Sequence, residues 1–318
     1  MSFSSEVKEE LSQLSDEDTH CMIAELSAII CFGGRIRQDS DGDFSIALHT
    51  ENPVAAHRFC SLVTQVFQYP EEELISCEDL AGKVRPETVC VKDASKALYI
   101  LKVTGLLDNL GQLNMDYELS GSAVLKRTCC RRAFLRGAFL SSGSVTDPEK
   151  NYHFEITGSS EALVAQLKDF LRFFGLDAKI VLRKKYYVVY LKEGTMISDV
   201  LTIMGANVSM MKFENVRIVK DVRNTVNRRV NCETANINKT VSAARKQIED
   251  IEYIQNTVGL EKLPQNLRDI AALRLEEPDA TLKELGEMSE PPVGKSGVNH
   301  RLRKLSQIAQ NIRENGRI

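Results

Sequence analysis

An internal repeat constrains this chain more than any other feature of its sequence. The segment Leu26-Ser-Ala-Ile-Ile-Cys-Phe-Gly-Gly34 lies over Leu135-Arg-Gly-Ala-Phe-Leu-Ser-Ser-Gly143, an offset of 109 residues. Each copy is an apolar segment rich in small residues that ends at glycine, a natural helix stop. Two short alternating strands follow, around Asp41-Gly42 in the first copy and Asp147-Pro148 in the second. Next comes an amphipathic helix, with Val54, Ala55, Phe59, Leu62, Val63 and Val66 on one face. Its counterpart carries Ala162, Leu163, Leu167, Phe170, Leu171 and Phe174. Two more strands, reaching Lys92 and Lys192, lead to last helices that stop at Gly105 and Gly205. The predicted order in each half is helix, two strands, helix, two strands, helix.

The 318 residues allow two domains or three. A 43% hydrophobic and 27% charged composition excludes a disordered or collagen-like chain. No apolar run reaches the ~18–20 residues that span a bilayer, and MSFSSEVKEE lacks a basic-then-apolar leader. A cytoplasmic protein without membrane contact is expected. The eight cysteines fall at irregular spacings with no C-x-x-C pair. In a reducing compartment they read as buried free thiols, not as a zinc site or a disulfide framework.

The C-terminal third differs in character. Residues 222–318 hold 16 Lys and Arg against 13 Asp and Glu, leaving 25 against 31 for the rest. A basic end on an acidic protein suggests a localised polyanion contact. Asp221 to Asn236 is rich in Asn and Arg without a sustained apolar period, and is expected to be an extended linker, either touching phosphate through Arg228 and Arg229 or serving as a simple solvated connector. A helix is then expected after Asn238, with Val241, Ala244, Ile248, Ile251, Ile254 and Val258 as its stripe up to Gly259.

Three further helices fit a helix-turn-helix. The first carries Leu267, Ile270, Ala271 and Leu273 and stops before Pro278. The second runs from Leu282 to Met288, with Thr281 as cap and Glu284 at the reciprocal capping-box position. After the turn Ser289-Glu-Pro-Pro-Val293, the third buries Val298, Leu302, Leu305 and Ile308. Its other faces carry Lys295, Ser296, Asn299, His300, Arg301, Arg303 and Lys304. Asn pairs with adenine, Arg with guanine, and Lys and Ser reach phosphates or base edges, so double-stranded DNA is the expected partner.

The two repeat segments resemble the paired signature helices of the LAGLIDADG homing endonuclease fold in a single-chain, pseudo-symmetric version. In that family the two helices pack side by side, which suits Ser27, Ala28, Gly137 and Ala138. The resemblance also implies antiparallel sheets forming a saddle on DNA. The next-to-last signature position in that family is a metal-holding acid. Here Gly33 and Ser142 stand there, and neither supplies a carboxylate to a hard cation. A dead nuclease is expected, with no metal, cofactor or small-molecule substrate.

Asn227-Arg-Arg-Val-Asn-Cys-Glu-Thr-Ala-Asn236 and Lys295-Ser-Gly-Val-Asn-His-Arg-Leu-Arg-Lys-Leu305, joined to a duplicated acid-less domain, resemble the WhiA family of bacterial regulators. Gly294 departs from the serine cap frequent there, at a cost of a few tenths of a kcal/mol. The implied fold is α+β: a pseudo-symmetric duplicated LAGLIDADG-like domain with antiparallel saddle sheets, then an all-α helix-turn-helix domain. The expected boundaries are 1–221, with repeats of about 1–115 and 116–221, a polar linker over 222–238, and a helical DNA-binding domain over 239–318. The resemblance implies a nucleoid-associated regulator of cell division and chromosome segregation that controls transcription, including sporulation genes where the host sporulates. The rival from another class is an adaptor for division or transcription proteins with secondary DNA contact.

Four patterns invite other readings. Gly294-Lys295-Ser296 resembles the end of a P-loop, but Ser289 replaces the earlier glycine and no strand precedes it. Asp39-Ser-Asp-Gly-Asp43 resembles the start of a calcium loop, but Phe44 and Thr50 break the pattern, and a hairpin turn fits better. His57 and Cys60 lie one turn apart without a second pair. Arg183-Lys-Lys-Tyr-Tyr187 suits either a DNA saddle or a charge-protected sheet edge.

Overall fold

The computed structural model describes residues 2–15, 18–50, 52–78, 84–108, 110–114 and 122–315. It divides into one unit over Met1–Lys220 and a second over Asp221–Ile318.

The first unit opens with α1 (Phe3–Ser12). The first repeat follows as α2 (Thr19–Gly33), β1 (Gly34–Gln38), β2 (Phe44–His49), α3 (Pro53–Phe67), β3 (Ile75–Glu78), β4 (Val84–Val91) and α4 (Ala94–Val103). The second repeat is α5 (Thr128–Ser142), β5 (Gly143–Val145), β6 (Phe154–Gly158), α6 (Glu161–Phe173), β7 (Lys179–Arg183), β8 (Tyr186–Leu191) and α7 (Gly194–Met204). The two halves share one order of elements, as their sequences predict. Their antiparallel sheets also share one topology, β1-β2-β4-β3 and β5-β6-β8-β7.

Local chemistry sets the boundaries. Between β1 and β2, the Asp39 side chain accepts the N–H groups of Asp41 at 3.0 Å and Asp43 at 2.9 Å, and Gly42 takes φ +88°. The calcium-like run is thus a closed hairpin loop. Asn52 caps α3 through the Val54 N–H, with Pro53 in the first turn. His57 on that helix is exposed and Cys60 is buried. Ser160 caps α6 through the Leu163 N–H at 3.2 Å.

The centre of the unit is the contact between α2 and α5. Ser27, Ala28 and Ala138 are fully buried there. Small residues let the two backbones approach, and Phe134, Phe139, Ile29 and Ile30 fill the space around them. One ionic group sits inside: Glu25 accepts from Arg58 at 2.7 and 2.9 Å and from Arg136 at 2.8 and 2.9 Å. Burial pushes the Glu25 carboxyl up against the opposing pull of Arg58, and it lowers Arg136 to about 10.

The second unit contradicts the expected linker. Asp221 to Asn236 is not extended, and no helix begins at Asn238, because α8 runs unbroken over Asn207–Thr257. No Gly or Pro interrupts those 51 residues, and Asn, Thr and Val each cost a helix only ~0.5 kcal/mol or so. A helix that is already nucleated continues through such residues. Local pairs assist: Arg229 bonds Glu233 at 3.0 Å, and Arg245 bonds Glu249 at 3.0 Å. The expected apolar stripe is buried only toward its end, at Ile251 and Ile254, while Val241 is exposed. Gly259, with φ +85°, follows the helix.

The remaining helices are α9 (Gln265–Glu276), α10 (Leu282–Glu287) and α11 (Lys295–Asn315). Ile251, Ile254, Leu267, Ile270, Leu285, Val298, Leu302 and Leu305 form their shared core.

The thiols need correction too. Cys90 on β4 is disulfide-bonded. Cys21, Cys31, Cys60 and Cys130 are free and buried, but Cys129 and Cys232 are free and exposed. Spacing along a chain carries no information about which thiols a fold brings within bonding distance.

Candidate DNA-binding surface

The helix-turn-helix is built by short-range rules. The Thr281 hydroxyl accepts the Glu284 N–H at 3.3 Å, and the Glu284 carboxylate accepts the Thr281 N–H at 2.7 Å. This reciprocal capping box fixes where α10 starts. The hydrogen bonds from Thr281 hold the Glu284 carboxyl below the usual range. The turn closes where the Val293 N–H donates to the Gly286 carbonyl at 2.9 Å. A Cβ on Gly286 would fall 2.0 Å from the Val293 carbonyl oxygen, so only glycine permits this approach.

Gly294 starts α11 by accepting the N–H groups of Gly297 and Val298 at 2.8 and 3.1 Å. It does so with its main chain alone. The helix then presents two opposite faces. Val298, Leu302 and Leu305 are buried. Lys295, Ser296, His300, Arg303 and Lys304 are exposed, while Asn299 and Arg301 are half-buried. Lys295 sits in the first turn, where free N–H groups and the helix dipole add positive potential, and Arg303 and Lys304 follow about two turns along. A turn rather than a strand precedes Gly294-Lys295-Ser296, so the P-loop likeness has no structural counterpart. Arg228 and Arg229 lie exposed on α8 instead of in an extended linker.

The first unit offers a second basic surface, only part of it free. Arg35 and Arg37 are exposed on β1. Arg183 ends β7, and Lys184 and Lys185 form the turn into β8. Arg183 already bonds Glu155 at 3.0 Å, with His153 on the same carboxylate at 2.9 Å. Beside the second signature helix, Lys126, Arg127 and Arg132 are exposed, Arg131 stacks on Phe173 at 4.3 Å, and Arg136 is held inside by Glu25.

Gly33 and Ser142 are the last residues of α2 and α5. The cavity there, about 800 Å³, is lined by Lys8, Gly33, Ser141 and Ser144 among others, and no described lining residue is an acid. Burial lowers Lys8 to about 8.

At the opposite end of the same helices, four side chains that spacing kept apart come together. His20, Cys21, Cys129 and Cys130 place their ligand-type atoms within 4.8 Å of one another. The missed signal was a pair of dipeptides, His-Cys and Cys-Cys, at equivalent positions of the repeat.

Comparison with known proteins matches this architecture piece by piece. Family models match as the WhiA N-terminal LAGLIDADG-like domain over residues 19–107, the WhiA LAGLIDADG-like domain over 131–223, and the WhiA C-terminal HTH domain over 226–309. A relative named probable cell division protein WhiA, from Lachnoclostridium phytofermentans, is 47% identical across 99% of this chain and 100% of its own.

The chain belongs to the WhiA family.

A WhiA relative from Clostridium acetobutylicum, also named a probable cell division protein, is 42% identical over the full length of both chains. The crystal structure of full-length DUF199/WhiA from Thermatoga maritima is 25% identical and superposes with a TM-score of 0.59, covering 98% of this chain and 99% of that one. The α+β fold of this WhiA chain is therefore that of a duplicated LAGLIDADG-like domain followed by a helical HTH region. Among the described residues, no helix of it is long and apolar enough to cross a membrane.

Proposed function

We propose that this chain is a non-enzymatic, sequence-reading DNA-binding regulator that acts in cell division from the cytoplasm, at the nucleoid. Transcriptional control, chromosome segregation and, in a sporulating host, sporulation genes are its proposed outputs. The observation that carries the reading is α11: a basic exposed face, free at its N-terminal turn, on a helix whose opposite face is locked into the core. Lys295, Ser296, Asn299, His300, Arg301, Arg303 and Lys304 are the proposed contacts on this helix, with Arg228 and Arg229 adding phosphate contacts from α8. Among its described lining residues the cavity beside Gly33 offers no carboxylate, which supports loss of the nuclease reaction, since that reaction needs carboxylates for its metal. Fluorescence anisotropy of the full chain on genomic-promoter duplexes across a salt series tests the reading. Selective binding that Arg303→Ala and Lys295→Ala weaken supports it, and equal binding by wild type and variants overturns it.

One observation favours the adaptor reading as a second role. Val222, Val226 and Val230 form an exposed row at four-residue spacing on α8. Such a row suits a protein partner better than a phosphate backbone. Charged substitutions along it separate the roles, since they spare DNA affinity if the row serves proteins only.

A further inference from the structure

We infer that His20, Cys21, Cys129 and Cys130 form a four-ligand site for a thiophilic divalent cation, zinc by its chemistry, which staples the N-terminal ends of α2 and α5.

The geometry is that of a set ready to close. His20 Nδ1 lies 3.2 Å from Cys21 Sγ and 3.4 Å from Cys130 Sγ. All four ligand atoms sit within 4.8 Å of one another. Zinc bonds of ~2.3 Å to sulfur and ~2.0 Å to nitrogen give a tetrahedron with edges of roughly 3.5–3.8 Å. Around an ion the two nitrogen–sulfur edges open slightly and the longest edges close by about 1 Å.

The repeat explains why these residues meet. The offset that carries Leu26 onto Leu135 also carries His20 onto Cys129 and Cys21 onto Cys130. Each half contributes two adjacent residues from the first turn of its central helix, since α2 starts at Thr19 and α5 at Thr128. The site thus straddles the internal pseudo-dyad.

The surroundings fit a metal better than a disulfide. A disulfide would use two of the thiols and leave the imidazole without a purpose. Here His20 turns Nε2 toward Asp18 Oδ2 at 3.5 Å and Nδ1 toward the sulfurs. A carboxylate on the far nitrogen is the usual outer partner of a metal-bound histidine. Three thiolates and one imidazole select zinc over magnesium or calcium, which want oxygen. With zinc the set carries one net negative charge, and Arg132 lines the adjoining cavity to offset it. That cavity, about 460 Å³ and lined by Cys21 and Cys129, offers a route in. The site is no relic of a nuclease metal. Gly33 and Ser142 end the same 15-residue helices, roughly 20 Å away at 1.5 Å per residue.

Cobalt(II) and zinc titrations of the full-length chain, reduced and freed of metal by chelation, test the assignment. The expected result is a single cobalt per chain, with the strong visible absorption of a tetrahedral ion and a near-ultraviolet thiolate-to-cobalt band, both abolished by one equivalent of zinc. Cys129 is exposed, so Cys129→Ser leaves the core intact; it should weaken the thiolate band and lower zinc affinity by at least ~10-fold, the scale of losing even an outer partner. Cys232→Ser, far along the chain on α8, should change neither. No tetrahedral cobalt spectrum from folded wild-type protein, or an undiminished thiolate band in Cys129→Ser, overturns the site.

Discussion

Gly137 lies against the main chain of Glu25 so closely that a Cβ on Gly137 would fall 2.3 Å from the Glu25 carbonyl oxygen and 3.0 Å from Ala28 Cβ. One glycine therefore sets the spacing of α2 and α5, and with it the spacing of the two halves. Gly137→Ala must push the helices apart or distort them, at a cost of about 1–3 kcal/mol. Thermal unfolding of the full chain should show a lowered midpoint; an unchanged midpoint contradicts the close approach.

Much of this arrangement is legible in the residues. The glycine stops, the alternating strands and the two amphipathic helices of each repeat lie in local patterns, and local patterns determine local structure. The capping box at Thr281 and Glu284 is equally readable, because its partners are three residues apart. What escapes is whatever depends on neighbours distant in sequence, or on the absence of a breaker. The segment from Asp221 to Asn236 looks like a linker by composition, yet nothing in it stops a helix that arrives already formed. The meeting of His20 with Cys130 spans 110 residues and no spacing rule contains it. The roles of the α11 side chains remain a matter of their chemistry and exposure.

The capping box gives stability a pH dependence with a definite sign. Glu284 is held below the usual carboxylate range in the folded chain. Its stabilisation is present in full above the unfolded carboxylate pKa and is lost as pH falls through the lowered folded value. Glu284→Ala removes the carboxylate that accepts the Thr281 N–H and should destabilise the chain near neutrality. Comparing unfolding of wild type and Glu284→Ala from neutral pH into acid should show their difference shrinking. A difference that stays constant or grows in acid argues against the box.

On α11, Arg303→Ala and Lys304→Ala should each weaken DNA binding. If either side chain neutralises a phosphate, the slope of log affinity against log salt falls by about one as well. A base-reading side chain instead costs ~1–3 kcal/mol on preferred duplexes and relaxes selectivity at one position. Anisotropy on matched and scrambled duplexes distinguishes the two outcomes, and no effect from either substitution removes α11 from the interface.

Every residue from 222 to 243 of α8 is exposed, so propensity and i,i+4 pairs carry most of the stability of that stretch. Val230→Pro should open it locally, at ~3 kcal/mol of helix stability, with faster amide exchange on either side. The unfolding midpoints of the two cores should stay where they are. A falling midpoint would show that this stretch packs against something.

The buried ionic group has a consequence for ancestry. Glu25 and Arg58 come from one repeat, Arg136 from the other. The twin position of Glu25, by the 109-residue offset, is Phe134, and that of Arg136 is Ser27. A symmetric pair of second repeats would face two arginines with no acid between them, and a pair of first repeats would lose the cation that crosses the seam. Since an uncompensated buried charge costs several kcal/mol, the two halves have diverged past the point of exchange. Whatever homodimer once preceded this chain, the fusion has made its partners complementary, and neither half retains the means to pair with itself.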